Sequence, residues 1–265
     1  MSVTRYDMPA LFGPSLMPDQ SRVPHAEAII ISYETTRDAA ARLLPRFFEV
    51  PDAPVVSVSR IDYAGVDYLG GRGYREIVVT VSAIYQGAEG PLQASFAPVM
   101  WVTEAGALIA GREYMGYAKL LGEMGPVEAA AESRRFQCAE YGSVLLEGEA
   151  SSLRPLSEES LAKVRRNAAD VRTFGWKYIP GSHGEGPDAD YPLVNSMRWD
   201  YQRAWSGEGR LTWHQPDRQA APLSSRVMAA LAAIPVKEYR RAFIGEGSAI
   251  IDRAATRRLV GDVAA

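Results

Sequence analysis

Short segments rich in valine, isoleucine and tyrosine recur along this chain, and they limit its possible folds more than any other sequence feature. β-Branched and aromatic residues favour extended strands, and the Gly- and Pro-rich pieces between them favour turns. Helical spacing is confined to a few short stretches, so strands and helices do not alternate regularly. This pattern predicts an α+β fold built on an antiparallel sheet or barrel. The predicted strands cover residues 26–33, 54–64, 74–85, 95–103, 176–179 and 193–205, with two more within 134–153 and one or two within 236–251.

The predicted helices are few and short. Thr36 can cap the first helix, and Pro235 stops the last one. Residues 104–107 are interpreted as a turn and residues 108–111 as a connection that follows it. Residues 180–192, which are rich in Gly, Pro and Asp, are expected to form an exposed loop. The predicted helices cover residues 36–44, 158–172 and 223–234.

The length and composition are those of an ordinary globular protein. A chain of 265 residues with 47% hydrophobic and 23% charged residues can bury a full core. We therefore expect a single domain over residues 1–265, in which the proline-containing residues 1–24 form an extended N-terminal segment. These residues lack the basic start and apolar run of a secretory signal, and no stretch approaches the roughly 18–20 apolar residues of a spanning helix. We expect a cytoplasmic protein without a membrane partner.

Charge and metal-binding residue types argue against several classes of ligand. The formal net charge of -3 provides no broad basic field for a nucleic acid. Cys138 is the sole cysteine, which excludes an intrachain disulfide and a cysteine-rich zinc site. The histidines at 25, 183 and 214 show no spacing that places two on one face of an element. We expect no metal, no cofactor and no nucleic-acid partner.

Lys119 is the most informative candidate for chemistry. Lysine occurs at four positions in the whole chain, and Lys119 has mainly apolar neighbours in sequence. Because burying an unpaired ammonium costs several kcal/mol, such a lysine either reaches water or loses its proton. A neutral amine attacks carbonyls and can start Schiff-base catalysis. The alternative is a surface lysine whose stem covers apolar neighbours.

Three blocks of sequence resemble acetoacetate decarboxylase. Residues 111–122 contain Gly-Arg-Glu, Tyr-Ala-Lys and Leu-Gly, and they resemble the Gly-Arg-Glu…Tyr-Pro-Lys-Lys-Leu-Gly active-site segment of that family. Residues 74–76, Tyr-Arg-Glu, resemble its Tyr-x-Glu. Residues 204–211 and 234–238 resemble its Ala-Trp-Thr-Gly…Arg-Leu…Leu-Pro-Val-Lys-Glu. The blocks occur in the family's order and span most of the chain.

The resemblance implies a fold and a nucleophile. The family has a conical antiparallel β-barrel with flanking helices, which encloses a mostly apolar cavity, and its members assemble as oligomers. By the resemblance, Lys119 forms an imine with a keto acid and Glu76 is a cavity carboxylate. We therefore expect Lys119 and Glu76 to be catalytic and the chain to form a homo-oligomer.

The departures from the family pattern are equally informative. Leu120 stands where acetoacetate decarboxylase has a second lysine, and that family is itself the standard example of a lysine activated by a neighbouring cation. Without that second lysine, burial alone would have to favour the neutral amine of Lys119. Ala26 stands near the family's N-terminal arginine, with His25 and Arg22 as imperfect substitutes, and Ser59 stands where a second cavity glutamate is expected. The groups that handle the carboxylate during decarboxylation are thus altered.

These residues favour an aldolase-dehydratase. An imine between Lys119 and an α-keto acid such as pyruvate acidifies the neighbouring carbon, and Glu76 could remove and return the proton. The enamine could then add to an aldehyde, and loss of water would give an unsaturated keto acid, a reaction known in the family. The predicted partners are a small keto acid and an aldehyde. Two alternatives are decarboxylation of acetoacetate or another β-keto acid, and a non-catalytic protein that binds a small ligand.

Five further residues are candidates for substrate contact. The tyrosines could donate protons or hydrogen bonds, although each is equally explained by half-buried packing. Tyr114 is preferred because the decarboxylase has an apolar residue there. Met100 matches a pocket methionine of the family but also fits core packing, and Arg112 could instead pair with Glu113. The predicted contacts are Tyr114, Tyr74, Tyr117, Met100 and Arg112.

Overall fold

The computed structural model describes residues 8–13 and 17–259, in which extended segments form one sheet of twelve strands. Short 3₁₀ turns lie at Ala10–Phe12 and Asp67–Leu69. The helices are α1 (Arg37–Ala41), α2 (Ala105–Met115), α3 (Glu158–Ala168) and α4 (Ser225–Ala232). The strands are β1 (Gln20–Glu34), β2 (Val55–Val66), β3 (Arg72–Gly87), β4 (Gly90–Val102), β5 (Lys119–Leu121), β6 (Glu128–Ala130), β7 (Ser133–Glu140), β8 (Ser143–Pro155), β9 (Val171–Pro180), β10 (Pro187–Trp213), β11 (Glu238–Tyr239) and β12 (Ala242–Arg258).

The sheet closes into a barrel. The pairing runs from β1 through β2, β3, β4, β9, β10 and β12, and β12 returns to pair with β1. Neighbours in this ring are antiparallel except β4 and β9, which pair in parallel at Ser95 and Thr173. β8, β7 and β6 extend the sheet beyond β10, while β5 adds a short parallel strand to β4. The predicted α+β barrel is confirmed, with two parallel pairings added.

Two hydrophobic cores lie on opposite faces of the sheet, because successive residues of a strand point in opposite directions. On β3, Ile77 and Val79 belong to one core, whereas Tyr74 and Val78 belong to the other. The first, termed the large core, includes Ile29, Ile31, Tyr33, Val56, Val58, Ile77, Val79, Phe96, Trp101, Phe136, Cys138, Leu145, Leu146, Phe174, Met228, Leu231, Ala242 and Ile244.

The second core lies beside the start of β5 and is termed the lysine-side core. It is richer in tyrosine and alanine than the large core, and α2 and α3 contribute to it through Ala107 and Leu161. Its aromatic rings form a continuous series, in which Tyr63 lies 6.1 Å from Trp199 and Trp199 lies 5.2 Å from Tyr201. Its buried members include Val23, Ala26, Ala28, Ile61, Tyr63, Tyr74, Val78, Ala97, Met100, Val102, Trp199, Tyr201 and Ala249.

The large core is close-packed and mostly apolar, although the fully buried Arg60 of β2 lies on the same face and donates to Asp62 Oδ1 and Gly125 O. Phe48 stacks on Phe174 with ring centroids 4.7 Å apart, and each such buried side chain contributes about 1.5–3 kcal/mol to folding. The fully buried Trp101 satisfies its indole by donating to Ser224 Oγ at 3.0 Å. Burial raises the pKa of the Cys138 thiol to about 12, so this cysteine stays protonated. The large core therefore supports the barrel without reactive groups.

The segment before Lys119 differs from the prediction. Residues 105–115, interpreted as a turn and connection, form helix α2. The Glu104 carboxylate caps this helix by accepting from the amides of Gly106 and Ala107, and Gly116 ends it with φ 63°. The helix escaped prediction because two glycines within it have weak helix propensity.

Other element boundaries also moved. Thr36 caps α1 as predicted, with its side chain accepting from Ala39 N. β9 and β10 extend into the expected loop, so the connection between them covers residues 181–186 alone. β1 begins at Gln20, before the predicted start at residue 26. Residues 1–7 and 14–16 of the predicted N-terminal segment lie outside the described residues.

Candidate active site

The backbone of Lys119 is fixed on both sides. Lys119 is the first residue of β5 and lies opposite Met100 of β4. Its own amide donates to Tyr117 O at 2.9 Å, and Met100 N donates to Ala118 O at 3.0 Å. The side chain enters the lysine-side core, where Lys119 is 6% exposed. A buried amine with a fixed backbone is well placed for reaction with a carbonyl.

Glu76 meets the lysine amine directly. Lys119 Nζ lies 2.5 Å from Glu76 Oε2, and Glu76 is 5% exposed. Glu76 is held in the middle of β3, where its backbone pairs with Ile61 on one side and Val102 on the other. The pair is charge-neutral whether the proton lies on nitrogen or oxygen, which lowers the cost of burial. The contact therefore places a carboxylate where it can exchange a proton with the amine.

Gly111 and Arg112 of α2 shape the position of the lysine. A Cβ atom at Gly111 would lie 2.6 Å from both Cδ and Cε of Lys119, so only glycine leaves room for this side chain. Arg112 Nη1 donates to Lys119 O at 3.2 Å. The helix thus supplies both the space and a backbone contact for the nucleophile, which explains its place directly before β5.

Four tyrosines surround Glu76. The rings of Tyr63 and Tyr74 are 4.7 Å apart, and the Tyr74 ring centroid lies 5.7 Å from Lys119 Nζ. Tyr68 also packs against the lysine-side core, close to Tyr74. Burial, and secondly the charge of Glu76, raise the pKa of Tyr63, Tyr68, Tyr74 and Tyr117. All four phenols therefore remain protonated at neutral pH and can donate hydrogen bonds.

The predicted contacts divide into two groups. Tyr74, Met100 and Arg112 lie at the lysine, as described above, and the half-buried Tyr117 packs against the lysine-side core near Thr173 and Asn195. Tyr114 packs in a small cluster with Met17, Ala110 and Met115, which adjoins the lysine-side core through Tyr68 and Tyr117. The guanidinium carbon of Arg253 lies 4.9 Å from the centroid of the Tyr114 ring. Tyr114 is thus grouped with Tyr68 and Tyr117, which lie near Glu76.

The positions that depart from the family pattern are also visible. Ala26 is buried in the lysine-side core, so a small apolar side chain occupies the place expected for an arginine. His25 and Arg22 are exposed on the same strand. His25 lines a different surface cleft together with Glu27 and Asp62. Neither substitute lines the cleft that contains Lys119.

A cleft of about 500 Å³ reaches Lys119. This volume falls within the range of about 300–1,000 Å³ that is usual for small-molecule sites. A second cleft of about 430 Å³ includes Tyr117 and shares Arg112 with the first. Besides Lys119 and Arg112, the first cleft is lined by Leu121, Glu140, Tyr141 and Leu223, among others.

Sequence reasoning missed several of these residues. Tyr63 and Tyr68 belong to β2 and the following turn, and Glu140 ends β7. The alternation of Ile61 and Tyr63 along β2 indicated one shared face, but it did not indicate which residues that face would meet. Gly111 was quoted as part of a motif without a role, since its role depends on a contact with a later residue.

Two further properties bear on ligands. No group of three or more His, Cys, Asp or Glu side chains suited to a metal ion occurs within residues 8–13 and 17–259. In the same ranges, no helix has both the length and the apolar character needed to cross a membrane.

Known structures share this fold. Acetoacetate decarboxylase from Legionella pneumophila subsp. pneumophila str. Philadelphia 1 is 19% identical, with a TM-score of 0.75 over 98% of this chain and 95% of that chain. The enduracididine biosynthesis enzyme MppR complexed with pyruvate is 18% identical, with a TM-score of 0.70 over 98% and 99%. MppR complexed with the condensation product of pyruvate and imidazole 4-carboxaldehyde is 17% identical, with a TM-score of 0.70 over 97% of each chain.

No curated protein sequence matches this chain significantly. In contrast, the sequence model of the family described as acetoacetate decarboxylase (ADC) matches residues 7–254. This match includes the lysine, the glutamate that contacts it and nearly all of the barrel, and the fold agrees with solved members. The chain therefore belongs to the acetoacetate decarboxylase family.

Proposed function

We propose that this protein is a Schiff-base-forming lyase that condenses an α-keto acid such as pyruvate with an aldehyde and removes water. The contact of 2.5 Å between Lys119 Nζ and Glu76 Oε2 carries the proposal. It places a nucleophilic nitrogen beside a group that can take and return a proton, and both are buried.

The first stage is imine formation. Glu76 accepts a proton from the Lys119 ammonium, and the free amine attacks the keto carbon of pyruvate. The keto oxygen leaves as water after it has been protonated, and a protonated imine links the lysine to the substrate. The desolvated surroundings favour this step because they weaken the hydration of the ammonium.

The second stage forms the new carbon–carbon bond. The Glu76 carboxylate removes a proton from the pyruvate methyl group, and the imine accepts the electron pair to give an enamine. The enamine carbon attacks the aldehyde carbon, whose oxygen takes a proton and becomes a hydroxyl. Loss of a methyl-derived proton and of this hydroxyl as water leaves a double bond. Hydrolysis of the imine consumes one water, releases the unsaturated keto acid and restores Lys119.

The surroundings of the ion pair support this sequence of steps. The protonated phenols of Tyr74 and Tyr117 can donate to the substrate carboxylate or to the aldehyde oxygen. Ala26 and Leu120 are apolar where the decarboxylase pattern has cations, so the usual means of handling a departing carboxylate are absent from those positions. MppR, which shares the fold, has been solved with pyruvate and with a condensation product of pyruvate and an aldehyde.

Decarboxylation of acetoacetate or another β-keto acid is the second candidate. It is favoured by the family model that matches residues 7–254. It begins with the same imine at Lys119, but the protonated imine then accepts the electrons of the bond that releases carbon dioxide. Carbon dioxide production from acetoacetate therefore separates the two candidates.

The test is trapping of the imine by borohydride, followed by intact-mass spectrometry and peptide mapping. We expect a pyruvate adduct on Lys119 in the wild type and none in Lys119→Ala. Lys177→Ala is the matched control, because burial lowers the pKa of this half-buried lysine and makes it the competing site for adventitious imines. It should trap pyruvate like the wild type.

The outcomes separate all three functions. A Lys119 adduct with an aldol product from pyruvate and an aldehyde, and without carbon dioxide from acetoacetate, supports the proposal. Release of carbon dioxide from acetoacetate without aldol product supports decarboxylation. Absence of a Lys119 adduct with either keto acid would overturn both and leave the non-catalytic binding protein.

A further inference from the structure

Glu140 has a hydrogen-bond acceptor that nothing in the described residues uses. This glutamate ends β7 and is 4% exposed. Its Oε1 accepts from Leu223 N at 2.9 Å, whereas its Oε2 is buried without a hydrogen-bond partner. A buried carboxylate oxygen without a partner is unfavourable, and such atoms in native proteins usually have an external partner. Glu140 lines the same cleft as Lys119, so a bound ligand is the natural partner.

Three exposed apolar side chains line the same cleft. Leu121, Tyr141 and Leu223 are 50%, 75% and 55% exposed. They come from β5, from the turn after β7 and from the segment before α4, which are far apart in sequence. Convergence of exposed apolar side chains on one cavity is typical of ligand-binding surfaces. The cleft therefore offers an apolar wall around an unsatisfied acceptor.

The backbone at Tyr141 is strained, which also points to a functional site at this cleft. Tyr141 and Gly142 form the turn between β7 and β8 with φ 47° and 76°. Such turns favour Asn, Asp or Gly at the first of these positions, because a bulky side chain is disfavoured at positive φ. Packing does not explain the tyrosine, since most of its side chain is exposed. Strain of this kind clusters at functional sites.

From these observations we infer that the cleft is the acceptor site of the proposed reaction, and that Glu140 selects aldehydes with an apolar, ring-sized body that carries a hydrogen-bond donor. This inference rests on the proposed function. The ring packs among Leu121, Tyr141 and Leu223, and its hydroxyl or N–H donates to Glu140 Oε2. A carboxylate in the same place is rejected, because it meets the negative charges of Glu140 and Glu123.

Binding without chemistry provides the first test. Wild-type protein is titrated with 4-hydroxybenzyl alcohol, 4-methoxybenzyl alcohol and 4-carboxybenzyl alcohol, which have no carbonyl and cannot form an imine. We expect the hydroxyl compound to bind about tenfold more tightly than the methoxy compound, as a hydrogen bond to a charged group allows, and the carboxylate to bind least. Equal affinity for the hydroxyl and methoxy compounds, or no binding of either, overturns the inference.

Glu140→Gln is the diagnostic variant. An amide can still accept from Leu223 N through one oxygen while it presents an NH₂ group where the free carboxylate oxygen was. The preference should shift at least tenfold toward the methoxy compound, whose substituent at position 4 accepts but does not donate. Glu123→Gln is the matched control in the same cleft: its carboxylate accepts from Gly142 N at 3.1 Å, and its loss of charge should leave the hydroxyl preference intact. An equal shift in both variants contradicts a specific role for Glu140.

A second variant keeps the inference testable if Glu140→Gln does not fold. Leu223→Ala shortens an exposed wall residue and keeps the amide that Glu140 accepts from. It should weaken the hydroxyl and methoxy compounds by a similar factor of about three to ten, and their ratio should stay constant. Unchanged affinity for both in this variant places the ligands elsewhere and overturns the inference.

Turnover distinguishes failure of this inference from failure of the proposed function. With pyruvate, 4-hydroxybenzaldehyde should have a kcat/KM about tenfold above that of 4-methoxybenzaldehyde, and Glu140→Gln should remove the difference. If pyruvate is trapped on Lys119 but the aldehydes are not discriminated, the acceptor inference fails alone. If the alcohols bind as expected but pyruvate is never trapped, the proposed function fails and the cleft cannot be its acceptor site.

Discussion

The large core and the lysine-side core are built by the same strands, yet they have different tasks. On β3, Ile77 and Val79 enter the apolar large core, whereas Tyr74, Glu76 and Val78 face the lysine-side core. One face is mostly apolar, apart from the buried Arg60, and contains a cysteine whose thiol stays protonated. The other holds a buried ion pair ringed by phenols. Stability and chemistry are thus separated by the alternation of side chains along a strand.

Loss of one partner of the ion pair in the lysine-side core should cause the largest loss of stability. Lys119→Met leaves the Glu76 carboxylate buried without a cation, and we expect the free energy of unfolding at pH 7 to fall by about 3–5 kcal/mol. The double variant Lys119→Met with Glu76→Gln removes the uncompensated charge and should recover most of this loss. Urea unfolding of the three proteins measures both values. A single variant as stable as the wild type would show that the pair is not desolvated.

A cavity in the large core should cost nearly as much stability but leave the chemistry intact. Ile77 is fully buried, so Ile77→Ala should lower the unfolding free energy by about 2–5 kcal/mol. Val78→Ala on the next residue removes less volume, but it loosens the face that holds Glu76. Borohydride trapping of pyruvate should be unchanged in folded Ile77→Ala and slower in Val78→Ala. Equal trapping rates would contradict the separation of the two faces.

Two glycines provide a sharper version of this comparison. An added Cβ at Gly111 would meet Lys119 Cδ and Cε at 2.6 Å, whereas one at Gly209 would meet Ile31 Cγ2 at 2.7 Å. Gly111→Ala improves helix propensity and displaces a flexible side chain, so it should retain stability while trapping falls about tenfold or more. Gly209→Ala overpacks the large core and should lose about 1–3 kcal/mol with trapping retained.

These two alanine variants are controls for each other. Thermal unfolding and the rate of adduct formation are measured on both proteins under the same conditions. If Gly111→Ala were destabilised but reacted normally, the glycine would serve the helix and not the lysine.

The smallest expected effect lies at the edge of the lysine-side core. Asp67 accepts from Arg22 N at 2.8 Å, Ser21 Oγ at 2.5 Å and Tyr68 N at 2.6 Å. Partial burial raises its pKa, but these hydrogen bonds outweigh burial and hold the pKa below the usual value. Asp67→Asn should cost a few tenths of a kcal/mol at pH 7, since the carboxylate is exposed and screened.

The pH dependence gives the sign of this effect. A lowered folded-state pKa stabilises the protein above the unfolded value of about 3.9, and that contribution disappears as the pH falls through the folded value. The stability difference between Asp67→Asn and the wild type should therefore shrink between about pH 4 and pH 2. Urea unfolding across this range checks it, and a difference that stays constant would exclude ionisation as the cause.

The strand signals are local and repeated, so they were sufficient to predict an antiparallel sheet or barrel, and the family resemblance implied the barrel. Glu76 and Lys119 were predicted from a resemblance between short motifs, and the structure brings them into contact across β3 and β5. Helix α2 was missed because its caps at Glu104 and Gly116 compensate for glycines that oppose a helix. Local propensity cannot show that compensation.

The rest of the site depends on contacts between distant segments. Nothing in the sequence near Glu140 indicates that its carboxylate meets Leu223 or shares a cleft with Lys119, because these residues come from three separate elements. Tyr114 was preferred because the decarboxylase motif has an apolar residue at that position. In the structure, α2 directs its side chain toward Met17 and Arg253. The proposed homo-oligomer likewise depends on surfaces that motif reasoning does not describe, and it stays a prediction.

The closure of the barrel through β12 determines when the site can exist. β12 (Ala242–Arg258) joins β1 to β10, so the ring needs contact between segments separated by most of the chain. Pairings of such high contact order form late and slowly. On the ribosome, β1 must therefore wait with one edge unpaired until β12 emerges, although Lys119 has long been synthesised. The nucleophile therefore acquires its enclosed surroundings only after β12 has been added, and until then the unpaired edge of β1 is open to wrong pairing.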